Sequence, residues 1–514
     1  MNILLIIADQ WRGECLSSLG HPLVKTPHLD ALAADGVTFK RHYGQAAPCG
    51  PSRACLYTGT YLHNNRSVLN GTPLDARFTN VALEARKVGY KPALFGYTDV
   101  TADPRQYASG DYVLTNYEAV LPGMAPVVHM NSDRKPWFAY LKSKGYDIPS
   151  NPKDIFRPVP TRTGMGKKGK TFAPSVFKAE DSPAAFLVDE AVKYLSVRQD
   201  KPWFVHMSFL APHPPFVVPE PFNEMYDAED MPLPVRRETL AEEAAQHPYL
   251  KYYLYNQRGF GWTHRAKSRD NHSISELDLR QIRATYYGMM SEVDAQIGRL
   301  INALKEAGSY DDTLVIFTSD HGEFMGDHWM FSKYTHFDQA FYIPLIVRDP
   351  TAGANKKRGS IVEDFTERID IMPTILDGIG IDIPGQCDGS SVLPFCRGEQ
   401  PQDWRQEYHA EFDLRSPYEI EEDVPLGLDV KHCSAIVIRG KRYKYVHFTT
   451  LPPLFFDLEK DPHEFNNLIN DPAYQELILE YAGKMLSWRM EYESPELTDL
   501  HVTRQGLISG VRSR

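Results

Sequence analysis

Short, uninterrupted apolar runs alternate with helical periodicity along most of this chain. A short apolar run that stops at a polar residue is typical of a strand buried on both faces of a sheet. The strands predicted in this way cover residues 2–8, 91–97, 203–209 and 313–318. Helical spacing of apolar residues predicts helices at 29–36, 78–88 and 291–306. Because strand and helix alternate, we expect an α/β sheet with helices on both faces.

The pattern changes in the last fifth of the chain. An antiparallel pair of strands is predicted at 434–438 and 443–447, because short β-type runs flank a turn signal. A helical pattern over residues 473–488 follows. We therefore expect a catalytic domain over residues 1–400 and a smaller C-terminal α+β domain over residues 401–514.

Two segments of the first domain are too long for plain connections. Residues 107–182 and 219–275 are rich in proline, glycine and charge. We expect both segments to cap the active site or to form a subunit interface. No internal repeat or low-complexity tract accompanies them.

Composition and charge exclude several classes of protein. With 42% hydrophobic and 12% aromatic residues, the 514-residue chain has the composition of a folded protein. Its formal net charge of −11 argues against a nucleic-acid partner. No apolar run reaches the ~18 residues that span a bilayer, and the opening run is predicted to be a core strand rather than a signal peptide. The six cysteines show no paired spacing, so we expect a cytoplasmic protein with no disulfide framework and no membrane partner.

One stretch carries more chemical information than any other, since residues 49–59 have the sequence C-G-P-S-R-A-C-L-Y-T-G. On composition alone, Cys49 would be a small buried residue beside a Pro-Ser turn. The stretch matches the C-x-P-S-R…T-G motif by which type I sulfatases direct oxidation of their own cysteine to formylglycine. Similarity extends from N-I-L-L-I-I-A-D-Q-W at the start to L-P-P-L-F-F-D-L near the end. The chain thus resembles the sulfatase branch of the alkaline phosphatase superfamily, most of all its phosphonate monoester hydrolases and arylsulfatases.

The resemblance implies a fold and an activity. The fold would be alkaline-phosphatase-like, with a large mixed β-sheet between helices and a smaller domain built on a short antiparallel sheet and a helix. The activity would be metal-dependent hydrolysis of sulfate monoesters and phosphonate monoesters, extending to phosphodiesters. Hydrated formylglycine, made from Cys49 by a formylglycine-generating enzyme, would be the nucleophile. The substrate would be a small anionic ester, and the enzyme a homo-oligomer, either a dimer or a tetramer.

A metal half-site is indicated by T-S-D-H-G-E, in which Asp320 and His321 follow a predicted strand. Asp9 follows the first predicted strand, and functional residues of such sheets collect at the carboxyl ends of strands. A D-H dipeptide alone is usually a turn or capping feature. We expect Asp9, Asp320, His321 and an oxygen of residue 49 (Cys49) to hold one divalent ion. This oxygen-rich set suits Ca²⁺ or Mn²⁺, with Mg²⁺ as the alternative, better than Zn²⁺.

Three positions depart from the common sulfatases that this chain resembles. Gln10 stands where they have a second aspartate, so the site loses one negative charge although the amide can still coordinate or hydrogen-bond. In G-Y-T-D, Tyr97 and Asp99 stand where they place a lysine and a histidine on the sulfate. Fewer cations favour a singly charged ester over a dianionic phosphate monoester. We assign Gln10 and Tyr97 to substrate binding. Because a carboxylate facing an anion is unfavourable, Asp99 either points away or is protonated.

The remaining site residues are assigned largely by the resemblance. His213, in A-P-H-P-P-F, lies between prolines that keep the loop stiff, and it is the expected general acid, although a lone histidine is more often structural. The resemblance places Lys333 near the scissile oxygen and Arg53 on the aldehyde oxygens. By composition alone, Lys333 would be a solvated charge. Asn70 matches an amide that binds a substrate oxygen in similar enzymes. The alternative interpretation is that Asn70 is a turn residue before a glycine.

Several rival interpretations are open at this point. A phosphodiesterase or phosphatase of the same superfamily would use the same pocket. A metal-dependent mutase would need serine or threonine at the nucleophile position. A non-catalytic protein that binds sulfated ligands does not explain why nucleophile, metal ligands and acid are all present. A serine hydrolase built on Ser52 is excluded because no G-x-S-x-G elbow surrounds it.

Overall fold

The first strand of the chain lies in the middle of a large sheet and explains why that sheet needs helices on both faces. All seven residues of Asn2–Ala8 are buried. Leu4 and Ile6 belong to one hydrophobic core, and Ile3 and Ile7 belong to a second. Successive side chains of a strand point to opposite faces of the sheet, so each face requires its own layer. The computed structural model describes residues 1–159, 168–197, 202–256, 274–415, 425–494 and 500–509.

Within these ranges the large sheet has eight strands. They are β1 (Asn2–Ala8), β2 (Val37–Tyr43), β3 (Ala93–Gly96), β4 (Ala125–His129), β5 (Phe204–Phe209), β6 (Thr313–Ser319), β7 (Leu345–Arg348) and β8 (Ser360–Glu367). Their order across the sheet is β4-β3-β5-β1-β6-β7-β2-β8. Strand β7 pairs antiparallel with both neighbours, and every other pairing is parallel. The sheet is therefore mixed.

Helices cover both faces of this sheet. The helices of the described residues, including those that pack elsewhere, are α1 (Pro27–Ala34), α2 (Cys49–Thr58), α3 (Leu62–Asn65), α4 (Val81–Lys87), α5 (Lys135–Ser143), α6 (Pro183–Ser196), α7 (Leu240–Ala244), α8 (Pro248–Asn256), α9 (Glu276–Glu306), α10 (Asp338–Phe341), α11 (Ile371–Gly378), α12 (Leu393–Arg397) and α13 (Gln475–Glu491). Apolar residues of α1, α6 and α9 pack in one core, and those of α2, α4, α11 and α12 pack in the other. The predicted α/β arrangement is confirmed. None of these described helices combines the length and the apolarity that crossing a membrane would require.

The four predicted strands correspond to β1, β3, β5 and β6, but one predicted helix is too short. The helix predicted at 291–306 begins at Glu276. Ser275 caps it, since its side chain accepts a hydrogen bond from the backbone N–H of Asp278 at 3.1 Å. Residues 281–290 are all buried. A helical stretch that is buried on every side has no polar face, so the hydrophobic pattern does not reveal it.

A second, smaller sheet is antiparallel throughout. It contains β9 (Tyr408–Asp413), β10 (Ser434–Arg439), β11 (Tyr443–Phe448) and β12 (Leu454–Asp457), in the order β12-β11-β10-β9. The predicted pair corresponds to β10 and β11, and the other two strands were not predicted. One face of the sheet packs against α13, and the other packs against apolar residues of α8 and α10. A separate hairpin pairs β13 (Leu500–Thr503) with β14 (Gly506–Ser509).

The smaller sheet is joined directly to the segment that precedes α2. The backbone N–H of Glu411, in β9, donates to the carbonyl oxygen of Gln45 at 2.8 Å. A bridge also pairs Ala46 with Glu411. The start of α2 is therefore fixed from both sheets. No disulfide bond joins the six cysteines, all of which lie within the described residues, in agreement with the prediction of no disulfide framework.

Candidate active site

The carboxyl ends of neighbouring strands bring the expected site residues together. Asp9 follows β1, Tyr97 follows β3 and Asp320 follows β6. Ser208 is the penultimate residue of β5, which lies between β3 and β1. Cys49 is the first residue of α2 and lies against this edge. Open α/β sheets bind ligands outside the carboxyl ends of their strands, so this is the expected place for a site.

Cys49 lies at the centre of the group, and only 6% of its surface is exposed. Its Sγ lies 3.1 Å from Nε2 of His321, 3.6 Å from Nζ of Lys333 and 3.8 Å from Oδ1 of Asp9. Burial, followed by the charge of Asp9, raises the pKa of the thiol well above its usual value. The sulfur marks the position that the oxygen atoms of an oxidised residue 49 would take.

Four side chains form a cluster that could hold a metal ion. Ligand atoms of Asp9, Cys49, Asp320 and His321 all lie within 4.8 Å of one another, and all four residues are buried. Nδ1 of His321 donates to the carbonyl oxygen of Gly322 at 3.0 Å, which leaves Nε2 as the acceptor that faces the cluster. Burial and the neighbouring Asp320 raise the pKa of Asp9 to about 8. A divalent cation would offset the repulsion between these two carboxylates, so the donor set fits such an ion.

Arg53 holds the two carboxylates in position. Its side chain is fully buried, and Nε donates to Oδ2 of Asp320 at 3.0 Å while Nη2 donates to Oδ2 of Asp9 at 3.3 Å. The guanidinium also lies 4.3 Å from the ring centre of Tyr97 and donates to Oγ of Ser208 at 2.8 Å. In this structure Arg53 therefore positions the carboxylates, and its expected contact with aldehyde oxygens stays a prediction.

A row of hydrogen bonds leads from Glu323 through Gln10 to Lys333. Gln10 has a left-handed φ of 69°. Its Nε2 donates to the carboxylate of Glu323, and its Oε1 accepts from Nζ of Lys333 at 2.8 Å. Because Lys333 is only 2% exposed, this bond helps to direct its ammonium group towards residue 49. Both ends of the Gln10 amide have protein partners, so its contact with substrate stays a prediction.

His213 follows β5 and lines the cavity in front of Cys49. Its Nδ1 donates to the carbonyl oxygen of Pro214 at 2.7 Å, so the neutral ring carries its lone pair on Nε2. Burial, followed by the charge of Lys333, lowers the pKa of His213 well below its usual value. A bound anion would favour the imidazolium form, so we expect substrate binding to raise this pKa.

Asn70 and Tyr97 also line the cavity, and each has a protein partner. Oδ1 of Asn70 accepts a hydrogen bond from the backbone N–H of Gly50 at 2.8 Å, in the first turn of α2. Oη of Tyr97 donates to Oδ2 of Asp9 and lies 3.1 Å from Nη2 of Arg53. Both residues therefore lie beside the expected nucleophile and metal ligands, and their substrate contacts stay predictions.

The cavity has a volume of about 190 Å³ and two chemically different ends. The polar end contains Asp9, Cys49, Asn70 and His213. The apolar end is lined by Met130, Phe156, Phe177, Leu187, Val217 and Met289. An apolar cavity of ~150 Å³ can hold a benzene molecule. This cavity therefore has room for a ring next to an anionic group.

Sequence reasoning missed three polar residues that support this site. Ser208 binds Arg53, Glu323 binds Gln10, and Arg368 donates to Oγ of Ser52. One sequence feature could have identified Ser208, namely its position near the end of a predicted strand. Glu323 lies in the D-H-G-E motif, but its contact with Gln10 joins distant parts of the chain. Arg368 has no recognisable motif around it.

The fold and the site together define the class of this protein, and family comparison gives the same result. Residues 1–381 match the model of the family described as "Sulfatase". Residues 326–491 match the model described as "N-sulphoglucosamine sulphohydrolase, C-terminal". The chain belongs to the sulfatase family, within the alkaline phosphatase superfamily, and is an ester hydrolase by class.

Three relatives are informative. The chain is 43% identical over 513 residues to the multifunctional alkaline phosphatase superfamily protein PehA of Trinickia caryophylli, and the match covers 99% of both chains. It is 29% identical to an arylsulfatase of Clostridium perfringens, over 97% of this chain and 96% of that protein. The phosphonate monoester hydrolase of Agrobacterium radiobacter has a similar structure, with a TM-score of 0.93 and 44% identity over 99% of both chains. The alkaline-phosphatase-like fold implied by the sequence is confirmed.

Proposed function

We propose that this protein hydrolyses sulfate monoesters and phosphonate monoesters, and phosphodiesters to a lesser extent, through formylglycine generated from Cys49. The observation that carries the proposal is the position of Cys49. Its side chain lies at one end of a cavity, within 3.1–3.8 Å of a metal-ligand histidine, a buried lysine and a buried carboxylate. The names of the three relatives, which include an arylsulfatase and a phosphonate monoester hydrolase, agree with it.

The cofactor part of the proposal is one divalent metal ion held by Asp9, Asp320, His321 and residue 49. We favour Ca²⁺ or Mn²⁺, with Mg²⁺ as the alternative, because two of the protein donors are carboxylates. Such an ion supplies Lewis acidity to the nucleophile and to the nonbridging oxygens of the ester. Arg53 and Tyr97 hold the ligating carboxylates in one geometry, so little rearrangement is needed when the ion binds.

Formylglycine at residue 49 would supply, when hydrated, one hydroxyl for attack on sulfur or phosphorus. Deprotonation of the second hydroxyl would then break the C–O bond to the transferred group, which restores the aldehyde and releases the product. Lys333, oriented by Gln10, balances negative charge that develops on the transferred group. Asn70 and Tyr97 line the cavity, and together with Gln10 they contribute hydrogen bonds to the substrate. His213 protonates the departing alcohol or phenol, since it lines the same cavity as Cys49 and carries its lone pair on Nε2.

The remaining proposals concern the cellular context. The substrate is a small anionic ester whose alcohol part occupies the apolar end of the cavity. A formylglycine-generating enzyme matures residue 49. We further propose a cytoplasmic homo-oligomer, a dimer or a tetramer, without nucleic-acid or membrane partners. The catalytic domain would span residues 1–400 and the smaller domain residues 401–514.

The central test measures modification and turnover on the same protein. Mass spectrometry of the peptide that contains residue 49 should show the aldehyde in active enzyme. Cys49→Ala should abolish turnover of aryl sulfate and phenylphosphonate esters while the unfolding transition changes little. Cys55→Ala is the matched control, because Cys55 is equally buried in the same helix and lies outside the cluster. Fully active protein with an unmodified thiol at residue 49 would show that the proposed nucleophile is wrong.

A further inference from the structure

Asp99 is a cavity-lining carboxyl that has no role in the proposed chemistry. It lies two residues after Tyr97 and lines the same cavity as Cys49. Only 4% of its surface is exposed. Its Oδ1 is buried and has no hydrogen-bond partner among the described residues. A buried carboxyl oxygen without a partner is unfavourable, so a group of this kind calls for a specific explanation.

The backbone around Asp99 fixes the residue against the start of α2. Its φ is 51°, in the left-handed region that few residues other than glycine, asparagine and aspartate adopt readily. The carbonyl oxygen of Asp99 would lie 3.2 Å from a Cβ atom placed on Gly50. The backbone of Asp99 therefore lies against the first turn of α2, the turn that presents residue 49.

The charged groups around Asp99 do not neutralise it. Burial raises its pKa to about 7, Glu118 and Asp320 also raise it, and Arg53 and Lys333 oppose this effect. At pH 8 the carboxylate form therefore predominates. Asp99 in turn contributes to the raised pKa of the Cys49 thiol, after burial, Asp9 and Asp320. The charge of Asp99 is thus felt at the atom where the proposed reaction takes place.

Three other acidic residues line the cavity, and each has a hydrogen-bond partner: Asp9 accepts from Arg53 and Tyr97, as described above. Glu118 accepts a hydrogen bond from the backbone N–H of Ser132 at 2.5 Å. Glu292 accepts from Oγ of Ser182 at 2.6 Å. Asp99 differs from all three because it combines an unpartnered oxygen with a position beside residue 49. Outside the metal-ligand cluster, it is therefore the cavity-lining acidic residue whose charge has the least local compensation.

We propose that Asp99 is the specificity-determining residue that excludes doubly charged esters from this site. A fixed carboxylate in a poorly solvated wall repels a second negative charge on the transferred group more strongly than a single one. Sulfate monoesters, phosphonate monoesters and phosphodiesters each carry one charge and are tolerated. A phosphate monoester is dianionic at pH 8 and is rejected. The inference rests on the proposed function, since it concerns which members of one substrate class react.

The test compares two esters with the same leaving group in the mature, metal-loaded enzyme at pH 8. 4-Nitrophenyl phenylphosphonate is a monoanion, and 4-nitrophenyl phosphate is a dianion. Asp99→Asn keeps the shape and tolerates a positive φ, and Asp99→Gly removes the side chain without backbone strain. In both variants the ratio of kcat/KM for the dianion to kcat/KM for the monoanion should rise severalfold, up to about tenfold (about 1.4 kcal/mol), because Asp99 can take up a proton at that cost one pH unit above its pKa. Asp147→Asn removes the same charge from an exposed position and should leave the ratio unchanged.

A binding measurement separates this inference from the proposed function. The affinity for inorganic phosphate at pH 8, measured by calorimetry, should rise severalfold, up to about tenfold, in Asp99→Asn and remain unchanged in Asp147→Asn. If the wild-type enzyme turns over none of the esters, the proposed function fails while phosphate binding still tests Asp99. An unchanged ratio and unchanged phosphate affinity in both Asp99 variants would overturn the inference. An equal loss of activity towards both esters would also overturn it, because it would show that Asp99 only supports the loop.

Discussion

Gly322 offers a sharp test of how the metal cluster is built, because it follows Asp320 and His321 directly. A Cβ atom at this position would lie 2.1 Å from the carbonyl oxygen of Gln339 and 3.3 Å from that of Tyr342. Both obstacles are backbone atoms and cannot rotate away. The backbone of Gly322 is not left-handed, so the effect of Gly322→Ala is purely steric. The nearer contact must open by about 0.9 Å to reach 3.0 Å, the distance below which real Cβ contacts are essentially never seen.

A displacement of this size is large for an active site. Misplacement by about 1 Å can lower an enzymatic rate ~10²-fold, and overpacking costs about 1–3 kcal/mol of stability. We expect Gly322→Ala to lower kcat/KM at least tenfold and to reduce metal content, both measured on purified protein, and to lower the free energy of unfolding in denaturant titration. Gly483→Ala is the control, because nothing lies within 4 Å of its Cβ position on exposed α13. Wild-type rate and metal content in Gly322→Ala would refute this account of the cluster.

Three further predictions follow from other contacts. Asp320→Asn should lower both the bound metal and the rate, measured by elemental analysis and turnover, and full occupancy with normal activity would rule out the ligand assignment. His213→Ala should slow the hydrolysis of esters of high-pKa alcohols by ~10²–10⁴-fold and that of activated aryl esters much less. If the rates of the variant and of wild type have the same dependence on leaving-group pKa, His213 only binds the anion. Burial raises the pKa of Asp294 from 3.8 to about 7, although its carboxylate accepts hydrogen bonds from the backbone N–H groups of His28 and Leu29. The folded state therefore favours the protonated acid, a contribution that is present below pH 3.8 and is lost as the pH rises to about 7. In denaturant titrations the stability of wild type relative to Asp294→Asn should decline over that interval, and a pH-independent difference would contradict the assignment.

The sequence identified the centre of the large sheet because its strands are buried on both faces. Such strands are uninterrupted apolar runs, as in β1 and β6, and they end where polar site residues begin. Strand β2 mixes buried and exposed positions in V-T-F-K-R-H-Y, and β7 has only four residues, so neither gives a clear period. Helix α2 is buried at every position and contains glycine, proline and serine. It therefore lacks the single apolar face by which a helix is recognised in a sequence.

The candidate site was predictable where chemistry and chain position coincide. Asp9, Asp320 and His321 each follow a strand, and Cys49 lies in a specific motif, so sequence alone could name them. The contacts that orient them were not predictable. Arg53 binds carboxylates that are 44 and 267 positions away along the chain, and such pairs are set by tertiary packing rather than by local pattern. The orientation of Lys333 by Gln10 is of the same kind.

Under the proposed function, the burial of Cys49 restricts when its thiol can be oxidised to formylglycine. Only 6% of the residue is exposed in the folded chain, and Glu411 of β9 holds the preceding segment through Gln45. Because the folded chain buries this thiol, the proposed modification would have to take place before this segment folds. About 360 residues separate Cys49 from Glu411, and a ribosome that adds ~5–20 residues per second needs roughly 20–70 s to synthesise them. Under the proposed function, the fraction of active molecules would therefore depend on whether residue 49 is oxidised before β9 is synthesised and pairs with the segment that precedes α2.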